Sequence, residues 1–219
     1  MYSRFFLFAI RFRRWITQIK ICRPSKGSWW SDHILLSLDM LMVFDLYECS
    51  SNLLARNTRR LRPAEVQILQ TVYGDSLPYH WIRIDEYARL GPRQGQFCYV
   101  SFHTINSWGP MSDALLVHEA MHVFQYVHRG AAYIGHAVRA WHTEMGYNYG
   151  GGELLRKRDS IWDFNYEQQA DIMADAHRLL NGQLPRWYDG SNAWSDYQPY
   201  LEEVRAAQMH WVYAQKKPS

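Results

Sequence analysis

Cysteine is scarce in this chain: there are three in 219 residues, Cys22, Cys49 and Cys98, odd in number and widely spaced. No two of them form C-x-x-C, so neither a thiolate zinc site nor a disulfide framework is supported. Reduced thiols and synthesis in the cytoplasm are the expectation. Long apolar runs are missing too. No stretch approaches the roughly 20 residues of a membrane span, so no transmembrane segment is expected. The opening Met1 to Arg14 holds an apolar run of only six residues, then arginines, with no convincing cleavage site. A conventional export signal is not expected. There is no internal repeat and no low-complexity tract.

What is present is globular material: 47% of residues are hydrophobic and 21% charged, enough for one good core with a small appendage. Aromatics reach 16%, which suits a wide pocket or simply a dense core. Net charge is only +3, but residues 1–62 carry eleven Lys/Arg against four Asp/Glu, whereas the remainder carries thirteen against seventeen. A basic leader on a mildly acidic body could meet an anionic membrane, nucleic acid or an acidic partner. A solvated basic face is the preferred reading, and no nucleic-acid partner is expected.

Residues 1–33 mix aromatics with arginine and could form an amphipathic helix. Ile34–Tyr47 reads as a buried helix and Ser50–Arg62 as a polar, basic linker, with a domain boundary near residue 60. Pro63 and Gly74 bracket a helix striped by Val66, Leu69 and Val72. Trp81–Asp85 alternates as a strand, Gly91–Gly95 is loop, and Phe97–Ile105 is the strongest strand pattern. Ser112 or Asp113 caps a helix of roughly 17 residues that Gly130 closes. Residues 131–163 have no strong period, and Tyr147–Gly152 reads as flexible or hairpin-like. Asn165 with Gln168 forms a capping box, and Asn181-Gly182 ends that helix. Pro185–Asn192 is loop, and Tyr200–Ala214 a last helix before a Lys-Lys-Pro-Ser tail.

The chemistry centres on Val117-His118-Glu119-Ala120-Met121-His122-Val123, an H-E-x-x-H inside an apolar helical run. Imidazoles at i and i+4 share one helical face and can grip a single metal ion, zinc being the expected one. Glu119 can reach a water at such an ion and take its proton. Burying His and Glu in an apolar run is costly unless they are paired. A catalytic zinc needs a third protein ligand, and the candidates are Glu167, Asp171, His142, His136, Glu144 and Glu153. Glu167 stands out because it opens a helix with Asp171 one turn on, which leaves Asp171 to orient a ligand imidazole. Acids at a helix N-terminus also serve the helix dipole, the plainer reading of Glu167.

Arg62-Pro63 with Glu65, then Tyr73-Gly74-Asp75, Ile82-Arg83-Ile84, Val117–Tyr126, and Asn165–Asp171 occur in an order that resembles the bacterial Vgr-related proteins. More distantly, it is similar to the zincin-like metallopeptidase core domain associated with contractile injection systems. The resemblance covers residues 61–182. It implies a zincin-like (gluzincin-type) fold, and with the pattern of elements above the expectation is an α+β single domain, mostly helical with a small sheet. Residues 1–60, outside the resemblance, are expected to be a basic, aromatic-rich N-terminal helical extension, and residues 183–219 a C-terminal loop and helix packing on the core. It implies zinc on His118, His122 and Glu167, with Glu119 as general base, and a link to type VI secretion, with delivery outside the cell a further expectation.

The expected reaction is metal-assisted hydrolysis of a peptide or protein substrate, a metallopeptidase activity in which Glu119 returns its proton to the leaving amine. His142, Tyr147 and Tyr149 are candidates to steady the oxyanion. Phe97–Ile105 is the strand on which an extended peptide would pair. The alternative is a zinc-stabilised structural or adaptor component of an injection system without catalysis. Residues 1–60 are the expected route to a secretion-machine partner, and their removal is expected to leave metal binding intact.

Overall fold

The computed structural model describes residues 2–21, 28–54, 57–88, 93, 97–135, 146–188 and 193–207. Three helices come first, α1 (Tyr2–Ile21), α2 (Ser28–Met40) and α3 (Val43–Leu54), then strand β1 (Thr58–Arg60) and helix α4 (Pro63–Tyr73). Strands β2 (Arg83–Asp85), β3 (Tyr99–Ser101) and β4 (Thr104–Asn106) follow, then helices α5 (Asp113–Arg129), α6 (Gly151–Lys157), α7 (Tyr166–Leu180) and α8 (Ala193–Ala206). The class is α+β, mostly helical, with one four-stranded mixed sheet in the order β1-β2-β4-β3. β2 and β4 run parallel; β1 and β3 pair antiparallel at the two edges. Among the described residues no helix is long and apolar enough to cross a membrane.

α5 is the central element, and its twelve residues from Leu116 to Val127 are all buried. A helix buried on every side cannot show a clean amphipathic stripe, which is why its sequence reads as one apolar run. Its ends are set locally. Ser112 accepts a hydrogen bond from the Leu115 N–H at 3.3 Å, and Gly130, at φ +74°, closes the last turn by donating to Tyr126 O at 2.8 Å. A Cβ at Gly130 would lie 3.1 Å from Leu36 and 3.2 Å from Asp39, so the glycine also lets α2 approach. α7 starts at the expected capping box, with Asn165 Oδ1 accepting from the Gln168 N–H at 2.8 Å and Gln168 Oε1 from the Asn165 N–H at 3.0 Å. α5 against α7 is the most extensive packing of the fold. Leu69, Val72 and Tyr73 of α4, Ile84, Ile105 and the α8 residues Tyr197 and Leu201 complete the core around them.

Several expected boundaries move. Ile34–Tyr47 is two helices, broken at Leu41-Met42, where Met42 takes φ +59°. Ile34, Leu41 and Leu46 are exposed, so this stretch packs with one side only. Residues 50–62 are not linker: α3 continues to Leu54 and Thr58–Arg60 forms edge strand β1. Phe97–Ile105 is not one strand but turns back at Phe102-His103 into the β3–β4 hairpin. Phe102 adopts φ +60°, a strained conformation for a bulky residue, and burial of its ring against Phe44 and Tyr126 offsets the cost. Tyr147–Gly152 forms no hairpin; Gly150 is left-handed and α6 begins at Gly151. The last helix begins at Ala193 and runs through Pro199, where the sequence reading starts it only afterwards. Gly91, Pro92, Gln94 and Gly95, residues 189–192 and the Lys-Lys-Pro-Ser tail lie outside the described residues.

The first three helices are fastened to the body by polar groups. Arg11 is buried and donates to Asp39 O at 2.9 Å, Asp45 Oδ2 at 2.5 Å and Tyr126 Oη of α5 at 3.1 Å. Asp39, itself buried, accepts from Tyr126 Oη at 3.2 Å and from the Ala131 N–H at 3.4 Å. Arg14 donates to Val127 O. Glu48 of α3 grips the β3–β4 turn, accepting from the His103 N–H at 2.9 Å and from Thr104 Oγ1 at 3.0 Å. Two of the cations counted in the basic leader are thus used inside the molecule.

Candidate metal centre

The i, i+4 spacing on α5 places His118 and His122 side by side, and α7 brings Glu167 across to both. Glu167 Oε2 lies 3.3 Å from His118 Nε2 and 3.5 Å from His122 Nε2. A ligand atom from each of the three residues falls within 4.8 Å of the others, and all three residues are buried. A tetrahedral zinc with bonds of about 2.0–2.1 Å separates its ligand atoms by about 3.3 Å, so the donor set fits that ion. The outer nitrogens are tied away from the centre. His118 Nδ1 meets Asp171 Oδ1 at 2.8 Å, and His122 Nδ1 meets Gln125 Oε1 at 2.8 Å. Both partners accept, so each Nδ1 carries its proton and each Nε2 is directed at Glu167. Gln125 is held in turn, donating to Tyr166 O at 2.8 Å and Gln169 Oε1 at 3.0 Å.

Burial opposes charge on His118, but the carboxylates of Asp171 and Glu167 outweigh it and hold its pKa up at about 10. His122 is raised as well, burial being overcome by Glu167. Burial would raise Glu167, yet the two imidazoles pull it down to about 2. Burial pushes the Glu119 carboxyl up against the pull of the same imidazoles. Glu119 Oε2 is buried and has no hydrogen-bond partner among the described residues. A buried carboxylate oxygen left unpaired costs stability, so a donor such as water belongs there.

A cavity of about 190 Å³ opens onto this group, lined by His118, Glu119, His122 and Glu167 with Tyr99, Val100 and Tyr147 among its walls. Cys98 also lines it, and burial pushes its thiol up to about 12, so it does not offer a thiolate at neutral pH. β3 is the sheet edge at this cavity, but Tyr133 Oη already donates to Val100 O at 2.8 Å.

The other sequence candidates separate cleanly. Tyr147 lines the cavity, its ring centred 5.8 Å from that of His118. Tyr149 does not reach the site; its hydroxyl is buried and donates to Asp175 Oδ2 at 2.6 Å. Glu153 is exposed on α6 and pairs with Lys157. Asp171 supports His118 and contributes no atom to the three-ligand group. His136, His142 and Glu144 lie outside the described residues. Sequence reasoning missed Gln125, although its place three residues after His122 was a usable signal. No family model, curated protein or solved structure matches this chain.

Proposed function

We propose that this protein is a zinc-dependent hydrolase of the peptidase type, and that its α+β fold is a zincin-like arrangement in which His118, His122 and Glu167 hold the ion. The observation that carries the reading is the 3.3 and 3.5 Å spacing of Glu167 Oε2 from two Nε2 atoms whose opposite nitrogens are both engaged. A bound zinc ion would supply the Lewis acidity that acidifies a water and polarises a carbonyl. Glu119 Oε2, without a hydrogen-bond partner among the described residues and in the lining of the same cavity, takes the proton of the attacking water and passes it to the leaving amine. Asp171 and Gln125 keep both imidazoles in the binding tautomer. Tyr147 stands on the cavity wall where a hydroxyl can steady the oxyanion. Among the described residues three donors meet beside an open cavity, the arrangement of a catalytic zinc, whereas a structural ion takes four closed ligands. The resemblance to Vgr-related proteins adds a link to a secretion system to this proposal.

The test is hydrolysis of a broad peptide library by the zinc-loaded wild-type protein and by Glu119→Gln. The reading expects cleavage by the wild type, its loss with a chelator, and a drop of about 10²–10⁴-fold in the Gln variant with zinc retained. Equal turnover in both would sink the mechanism. Zinc bound by both without any cleavage would move the assignment to the structural alternative.

A further inference from the structure

Glu167, Asp171 and Asp175 are spaced at i, i+4 and i+8, one stripe along a single face of α7. Each does a different job. Glu167 faces the two Nε2 atoms, and Asp171 Oδ1 holds His118 Nδ1 at 2.8 Å. Asp175 is fully buried and holds the loop after α7, accepting from the Arg186 N–H at 2.8 Å and the Trp187 N–H at 3.2 Å. From that anchored loop the Trp187 indole returns to the stripe, and its Nε1–H donates to Asp171 Oδ2 at 2.5 Å.

We infer that Trp187 is a positioning residue of the metal centre, acting through Asp171 on His118. This rests on the reading of His118, His122 and Glu167 as zinc ligands. A carboxylate held at one oxygen can rotate about its Cβ–Cγ bond; held at both, it is fixed in plane and direction. Among the described residues the cation paired with Asp171 Oδ2 is Arg186, whose Nη1 lies at 3.9 Å, beyond hydrogen-bond reach, and that guanidinium lies 4.6 Å over the Trp187 ring. Removing the indole N–H takes from a buried carboxylate oxygen its short donor among the described residues. Asp171 can then turn from His118 Nδ1, and the Nε2 lone pair loses its fixed aim. Asp175 extends the control one step outward by fixing the backbone from which Trp187 reaches in. Trp187 sits sixteen residues beyond Asp171, in a loop with no periodic pattern, so nothing in the sequence ties it to the centre.

The test is a double-mutant cycle on the full chain, with zinc affinity read by competition against a chromophoric chelator. Trp187→Phe keeps a ring and removes the N–H. It is expected to weaken zinc binding about 3- to 10-fold, less than the 10- to 100-fold of a residue that touches the ligand itself. In an Asp171→Ala background the same change should cost less than about 2-fold, because the atom it acts through is gone. Arg186→Ala, which leaves the indole in place, should stay within about 2-fold of wild type in the Asp171 background. Melting in the presence of chelator reads folding separately. An unchanged affinity in Trp187→Phe overturns the inference. So does an equal loss in both backgrounds, which would make Trp187 a pin for its loop alone. A wild-type protein with no zinc affinity removes the metal-centre reading itself, a result distinct from either.

Discussion

Which ring nitrogen of His118 carries the proton decides what this residue can do. The short contact to Asp171 assigns it to Nδ1, and the carboxylates that hold its pKa up at about 10 add a second proton when the ion is stripped away. A folded-state pKa above the ordinary 6.5 means His118 favours the folded, chelator-treated protein below about pH 6.5 and loses that contribution as pH rises through 10. Glu167, held down to about 2, contributes above the ordinary carboxylate range and loses it as pH falls through 2. Zinc must displace the His118 proton, so affinity should rise about tenfold per pH unit between pH 6 and 8 for each proton released. Calorimetric titration in buffers of different ionisation heat counts those protons; an affinity flat with pH would contradict the assignment. Ligand and support should also separate. Glu167→Ala is expected to remove most zinc affinity, whereas Asp171→Asn should cost about 10- to 100-fold. The reverse ranking would make Asp171 the ligand.

Helices with their own end signals were the legible elements. Ser112 and Gly130 bracket α5, and Asn165 with Gln168 opens α7, because caps act within three or four residues and need no tertiary context. The proposed ligands ride on those two helices, so spacing already pointed to the juxtaposition of His118, His122 and Glu167, with Asp171 beside His118, that the structure shows. What could not be read was set by distant partners. Thr58–Arg60 is a strand because β2 lies beside it, with Arg59 held by Glu65 at 2.7 Å. The turn at Phe102-His103 follows from Glu48, some 55 residues earlier, gripping its backbone. The break at Met42 coincides with Asp39 turning inward to Arg11. Gln125 and Trp187 belong to the same class, acting on the centre from a neighbouring turn and a distant loop. At this scale Arg11→Ala should destabilise by about 3–5 kcal/mol, since it takes from buried Asp39 the cation paired with it at 3.3 Å and leaves only the longer-range pull of Arg14 among the described residues. Chemical denaturation measures it, and a loss under about 1 kcal/mol would show that α1 is not fastened through this pair.

The whole molecule is built around two helices, α5 against α7, that carry the proposed metal ligands, with the sheet edge on one side of the cavity and the first three helices tied to α5 and to the hairpin that forms that edge. A fragment starting at residue 61 loses β1, Glu48 and Arg11 together, so it is expected to fold poorly and to hold little zinc, contrary to the expectation from sequence that residues 1–60 are dispensable. A fragment with full zinc content and a cooperative melt would restore them to the status of an appendage. Ion binding itself should stabilise the intact chain, because the ligands are brought together only by folding. The most direct measurement is therefore the metal content of the full-length protein purified without chelator, beside His118→Ala, His122→Ala, Glu167→Ala and Glu119→Gln. The account predicts one zinc per wild-type chain, its loss in the first three variants and its retention in Glu119→Gln. A wild-type protein without stoichiometric metal, or one that keeps its zinc after any of the three ligand substitutions, would contradict it.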